Sequence, residues 1–149
     1  MELEIKHLAP YLPYKIDAEM LDYKIDYVGK QFDTIIGVEQ WSKDGIYWSV
    51  LTVGGSKPNL RSIKPILRPL SSLTELMPSQ GVSYGSYLWN EIVATDDDSF
   101  DKDEFYENCS LGLVNYLPII VIEKLFEWKF DIFNLIPNNL AIDINTFKQ

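Results

Sequence analysis

The sequence predicts an α+β fold in which a small antiparallel sheet packs against a long C-terminal helix, with short helical turns at the N-terminus and in the centre. Three patterns predict it. In "LDYKIDYVGK", Leu21, Tyr23, Ile25 and Tyr27 alternate with Asp22, Lys24 and Asp26, and a period of two with aromatic and branched residues marks a half-buried strand. In "LPIIVIEKLFEWKFDIFNLI", Ile119, Ile122, Phe126, Phe130 and Phe133 recur in steps of three and four, the single apolar stripe of a helix. In "SIKPILRPL", Pro65 and Pro69 fix φ near about −65° and hold Lys64 and Arg68 out of the helical region.

The elements follow in order. "IKHLAPYLPY" reads as a short helical turn from Ile5 to Leu12, with Pro10 near its first turn and Pro13 ending it. After the strand at 21–27, Gly29 and Lys30 turn the chain. "DTIIGVEQW" is a second strand, Asp44-Gly45 a turn, and "IYWSVLTV" a third strand rich in β-formers. Short links of this kind make an antiparallel meander. "GGSKPN" is a loop. "SIKPILRPL" is extended, and because proline lacks a ladder donor it is predicted at the edge of the sheet or leading out of it. In "SSLTEL", Ser72 and Glu75 have the spacing of a capping box, which predicts a short helix from Leu73 to Met77, ended by Pro78. "SYLWNEIV" fits either a strand or a helical turn. Residues 96–107, "DDDSFDKDEFYE", read as a loop or loose turns. Pro118 suits the first turn of the long helix, Asn134 and Pro137 mark its exit, and "LAIDIN" is a short extended segment that packs on the helix or adds to the sheet.

A chain of 149 residues is read as a single domain spanning 1–149. The apolar share of 46%, with 4 Trp, 9 Tyr and 7 Phe, excludes a disordered chain. One cysteine, Cys109, excludes an internal disulfide framework, and one histidine, His7, excludes the usual Cys/His zinc sites. The acidic start "MELEIKHLAPYL" is not a signal peptide, and the longest apolar run, "LPIIVI", is too short to span a bilayer. These features suit the cytoplasm. The net charge is −9, of which residues 96–107 carry −6, whereas residues 45–74 contain no acid and four bases, Lys57, Arg61, Lys64 and Arg68. The overall acidity argues against direct nucleic-acid binding, because phosphate contacts need cations.

The candidate sites are two charged segments. Asp97, Ser99, Asp101 and Asp103 alternate as in calcium loops, but a loop starting at Asp97 has Lys102 where glycine is needed and Asn108 where glutamate is needed. No metal or cofactor is expected. The acids Asp96, Asp97, Asp98, Asp101 and Asp103 instead form a solvated stretch, or a phosphate-like surface for a basic site on another protein. The basic residues Arg61, Lys64 and Arg68 are the second candidate surface. Their spacing does not line them on one side of an extended chain, and Arg68 is also read as structural, its guanidinium holding a carbonyl or carboxylate. His7 lies beside no nucleophile motif, and Cys109 has no nearby base and reads as a buried small hydrophobe. "GGSK" lacks phosphate-loop spacing and reads as a turn.

At "KHLAPYLPY", "KPILRPLSSL" and "LFEWKFDIFNLIPNNLAIDIN" the chain resembles a family of small bacteriophage and prophage proteins, also carried by other mobile elements, that share "HLAPYLPY", "KPILRPLS" and a C-terminal block of the "WHFDVFGLI…GLAIDIN" type. Lys129 stands where that block has histidine and Asn134 where it has glycine. The resemblance carries no activity and implies origin alone. The expectation is a non-enzymatic interaction protein of phage or mobile-element origin, acting in the bacterial cytoplasm on a protein partner, or on a second copy as a homo-oligomer. An alternative is an acidic inhibitor of a host nucleic-acid-directed defence or restriction system. A small metal-dependent enzyme ranks last, since it needs convergent carboxylates and the sequence shows a run.

Overall fold

The computed structural model describes residues 1–21, 30–40, 47–95 and 101–148. In chain order the elements are α1 (Ile5–Leu8), β1 (Ile16–Met20), β2 (Gln31–Gln40), β3 (Trp48–Thr52), β4 (Ile63–Leu67), α2 (Tyr84–Ala94), α3 (Lys102–Leu111), α4 (Ile119–Glu127) and β5 (Ile142–Asp143). Among the described residues, 3-10 segments lie between them at Ala9–Tyr14, Leu60–Ser62, Leu70–Thr74 and Val114–Tyr116, and one follows β5 at Ile144–Lys148. The α+β class is as predicted. The chain divides into two units, one made of Met1–Leu67 with Leu135–Gln149, which holds every described strand, and one made of Arg68–Asn134, which holds α2, α3 and α4.

In the first unit the sheet has the order β3-β2-β1-β4-β5. It is mixed, because β5 pairs parallel with β4 while the other pairs are antiparallel. A parallel pair needs a long crossover connection, and the second unit supplies it between Leu67 and Leu135. The predicted second and third strands are β2 and β3. The predicted first strand at 21–27 lies outside the described residues except Leu21, as does the Asp44-Gly45 turn. β1 is a strand that the sequence reading omitted: Ile16, Ala18 and Met20 are buried while Asp17 is exposed. Between Ile35 and Gly37 the β2–β3 register slips by one residue, a bulge at Ile36.

β4 is extended as predicted, but it is not an edge strand, since β1 and β5 flank it. The register explains how it tolerates Pro65. The Leu21 N–H donates to the Ser62 carbonyl, and hydrogen-bonded pairs alternate along an antiparallel ladder. Stepping along the register, Ala18 and Pro65 form a non-bonded pair. The missing proline donor therefore faces away from β1, and on that side β5 pairs only with Ile66 and Leu67. The N-terminal turn also departs from expectation. It continues as a 3-10 segment through Pro13 to Tyr14, because a short 3-10 ladder has few donors to lose.

In the second unit Leu88, Ile92, Phe105, Cys109, Val121, Leu125 and Phe130 form one buried cluster. The ambiguous stretch is the helix α2, whose N-cap Ser83 accepts a hydrogen bond from the Ser86 N–H. The acidic stretch is not loose turns from residue 101 onward, for α3 begins there. The central turn forms three residues earlier than predicted, at Leu70–Thr74, because Pro69 supplies its N-cap conformation. Ser72 and Glu75 bond side chain to side chain at 2.7 Å and form no capping box.

The long C-terminal helix is a correction. α4 runs nine residues and stops at Glu127. Lys129 adopts φ 60°, the Lys129 N–H donates to the Phe126 carbonyl, and the Phe130 N–H donates to the Leu125 carbonyl. That pair of bonds is a Schellman termination. The apolar periodicity runs past the stop because Phe130 is buried from the following turn. Within α4 the buried line is Val121 and Leu125, and Ile119, the first residue of the predicted stripe, is exposed.

Candidate protein-docking groove

The groove is built by α3 and the Leu70–Thr74 segment of the second unit. Asp101 begins α3 as its N-cap, its carboxylate accepting from the N–H groups of Asp103 at 2.9 Å and Glu104 at 3.1 Å. Asp103 and Glu104 in the first turn also complement the positive helix end. Phe105 and Cys109, one turn apart, face the core. Gly112 ends the helix at φ 67°, where an added Cβ would stand 3.2 Å from the Ile132 carbonyl oxygen. Its N–H donates to the Cys109 carbonyl, and the Leu113 N–H to that of Asn108, the same termination as in α4.

This phase turns Asp103, Tyr106, Glu107 and Ser110 outward at i, i+3, i+4 and i+7, one stripe of a helix. Against it lies a groove of about 410 Å³ lined by Leu70, Ser71, Leu73, Thr74, Tyr106, Glu107 and Ser110. Leu70, Leu73 and Tyr106 provide its apolar wall. The Tyr106 ring is held from behind by Gly85 of α2, where a Cβ would come within 2.7 Å of Cε1, and it meets Phe105 edge-on at 5.3 Å. Ser110 Oγ donates to the Glu107 carbonyl at 2.9 Å, which keeps the small side chain folded back on its helix. From the last residue of α3 to the first of α4 the chain exposes Leu111, Leu113, Tyr116 and Ile119 within nine residues.

The residues singled out from sequence fall in different places. Asp101 and Asp103 share the start of α3, and Asp96, Asp97 and Asp98 lie outside the described residues. Arg61 pairs with Glu2 at 3.0 Å in the first unit, with both side chains open to solvent. Lys64 Nζ donates to Asn139 Oδ1 at 2.7 Å. Arg61 and Lys64 belong to the first unit, whereas Arg68 belongs to the second. Its side chain is 16% exposed, its guanidinium lies 4.8 Å from the Tyr84 ring centroid and 5.8 Å from that of Phe130, and Nη1 stands 3.8 Å from Glu75 Oε2. Its Nε is buried with no hydrogen-bond partner. The geometry is that of a packed cation in an aromatic cage.

Cys109 is buried, and burial pushes its thiol up to about 12, which leaves it unreactive. His7 is buried, with Nδ1 accepting from the Glu4 N–H at 3.1 Å. Among the described residues no three His, Cys, Asp or Glu side chains are placed to hold a metal, and no helix is long and apolar enough to cross a membrane. A larger cleft of about 450 Å³ lies in the first unit, lined by residues including Glu2, Lys6, Tyr47, Trp48 and Arg61. Its cations pair with acids of its own lining, Arg61 with Glu2 and Lys6 with Glu4. The α3 groove differs in having no cation along its lining, only Glu107.

Most of the groove was missed from sequence. The signal was present: Asp101 followed three residues later by Glu104, then Phe105 and Cys109 one turn apart, then Gly112. The density of acids obscured it. Comparison with protein-family models, with curated proteins and with solved structures gives no significant match.

Proposed function

We propose that the chain is a non-enzymatic interaction protein that docks another protein on the face formed by α3 and Leu70–Thr74. The observation that carries this reading is an apolar groove of about 410 Å³ set beside the outward acids of α3. Apolar recesses with a polar rim are where protein partners seat their anchoring side chains. The three sequence blocks support an origin in a bacteriophage or other mobile element and a place of action in the bacterial cytoplasm. Co-purification of the tagged chain from bacterial cells tests the proposal. It expects a stoichiometric protein partner that Glu107→Lys releases, and recovery of the chain alone or with copies of itself contradicts it.

The distribution of charge favours a second reading. Arg68–Asn134 holds twelve acids and four bases, a net −8, whereas the rest of the chain holds ten acids and nine bases, a net −1. Such a field suits an acidic inhibitor that occupies the cationic surface of a nucleic-acid-directed host protein. This reading needs charge and not the groove. It therefore expects neutralisation of Asp96, Asp97 and Asp98 to abolish capture and Ser110→Tyr to leave it intact.

A further inference from the structure

Resting on the docking reading, we propose that the occupant of the groove is a cationic amphipathic segment of the partner. One of its large apolar side chains fills the groove, and its flanking lysines or arginines face Asp103 and Glu107. The argument is complementarity of two kinds on one helix face. Leu70, Leu73 and Tyr106 make a wall that no charged side chain satisfies. Glu107 lines the groove, Asp103 one turn before it is exposed on the same helix stripe, and an acidic or purely apolar segment does not match these charges. An apolar anchor with cations at helical spacing satisfies both, the usual arrangement of a segment seated in a groove. Ser71, Thr74 and Ser110 at the mouth are exposed, so entry requires no displacement of core residues. The net −8 of this unit steers a cationic segment toward it at low salt.

The test uses the intact chain and three short fluorescent peptides followed by anisotropy. One is a helix-forming peptide with leucines on one face and lysines around them, one has the leucines replaced by serine, and one has the lysines replaced by glutamate. The proposal expects the first to bind at least about tenfold more tightly than either of the others. Glu107→Lys and Ser110→Tyr should each weaken it about tenfold, and Glu123→Lys, the same charge change on the exposed side of α4, less than about twofold. Unchanged circular dichroism in Ser110→Tyr shows that a blocked mouth, and not unfolding, is measured. Equal binding of the serine peptide, or equal weakening by Glu123→Lys and Glu107→Lys, would overturn the proposal in favour of diffuse charge attraction. The two readings fail separately. A cellular partner retained by Ser110→Tyr but released by Glu107→Lys rejects the groove occupant and keeps the interaction. Peptide binding as expected, with no partner recovered from cells, keeps the occupant and rejects the interaction.

Discussion

The Gly54 N–H donates to both carboxylate oxygens of Asp33, at 3.2 Å to Oδ1 and 3.1 Å to Oδ2. The same carboxylate accepts from the Thr34 N–H at 2.8 Å, so it pins the turn after β3 to the neighbouring strand β2. A Cβ at residue 54 would stand 2.5 Å from Asp33 Oδ2. Asp33→Ala and Gly54→Ala are each expected to lower stability by about 1–2 kcal/mol, read from urea unfolding. Burial raises the Asp33 pKa, but the hydrogen bonds from Thr52, Thr34 and Gly54 outweigh it, and the net position is below the ordinary 3.8. A carboxyl depressed by folding stabilises above its unfolded value and loses that contribution as pH falls through its folded value. Asp33→Ala should flatten the acid limb of the stability curve in that window.

Lys129 holds a left-handed conformation, φ 60°, at the end of α4. Left-handed backbone costs a residue with a Cβ about 1–2 kcal/mol, part of which glycine gives back through its freer unfolded chain. Lys129→Gly is expected to raise stability by about 0.5–1 kcal/mol, and Lys129→Val to lower it by more than about 1 kcal/mol. A gain from valine, or a loss from glycine, in thermal unfolding contradicts the assignment.

Why α4 was read as twice its length is visible at this residue. The apolar spacing through Phe130 and Phe133 is real, but it does not register a Lys in left-handed conformation, where glycine would have announced the stop. Asn134 is also left-handed, at φ 59°, and asparagine tolerates that region better than most residues. β1 was lost for the opposite reason. Ile16, Ala18 and Met20 alternate correctly, but alanine, glutamate and methionine are helix formers, and the alternation spans only five residues. β5 was legible as a short extended segment, whereas its parallel partner β4 lies a whole unit away in sequence and no local pattern specifies that pairing. Of the groove, Leu70, Leu73 and Tyr106 carry no chemical signature. They become a wall only when the Leu70–Thr74 turn and α3 are brought together.

Arg68 is predicted to be structural. Its guanidinium lies over Tyr84, and its backbone N–H and carbonyl bond Lys129 and Asp131 at 2.8 Å each. Arg68→Ala should lower stability by about 2–3 kcal/mol through lost packing and cation–π attraction. Arg68→Lys should recover less than half, because an ammonium cannot stack as a plane. Arg68→Met should be milder than alanine, since it fills the space without burying an unpaired donor. Thermal midpoints of the three variants decide the order, and an alanine variant as stable as the parent contradicts it.

His7 connects the N-terminal turn to pH. Its unprotonated Nδ1 accepts from the Glu4 N–H, while the Glu4 side chain accepts from the His7 N–H. Burial pushes the imidazole below its ordinary 6.5, with Glu4 raising it less and Lys6 lowering it slightly further. Below 6.5 the unfolded chain takes up a proton that the folded chain refuses. Stability therefore falls as pH drops from that value and levels off once His7 protonates in the folded state. His7→Gln should remove this slope in parallel denaturant titrations across the window, and an unchanged slope would place its origin elsewhere.

The claim that the α3 face receives a protein partner is tested most directly by a photoreactive amino acid placed at Ser110 in cells, with the same group at Glu123 as the comparison. The account predicts that irradiation joins the chain to one discrete protein from residue 110 and not from residue 123. Equal adducts from both positions, or adducts to copies of the chain alone, would contradict it.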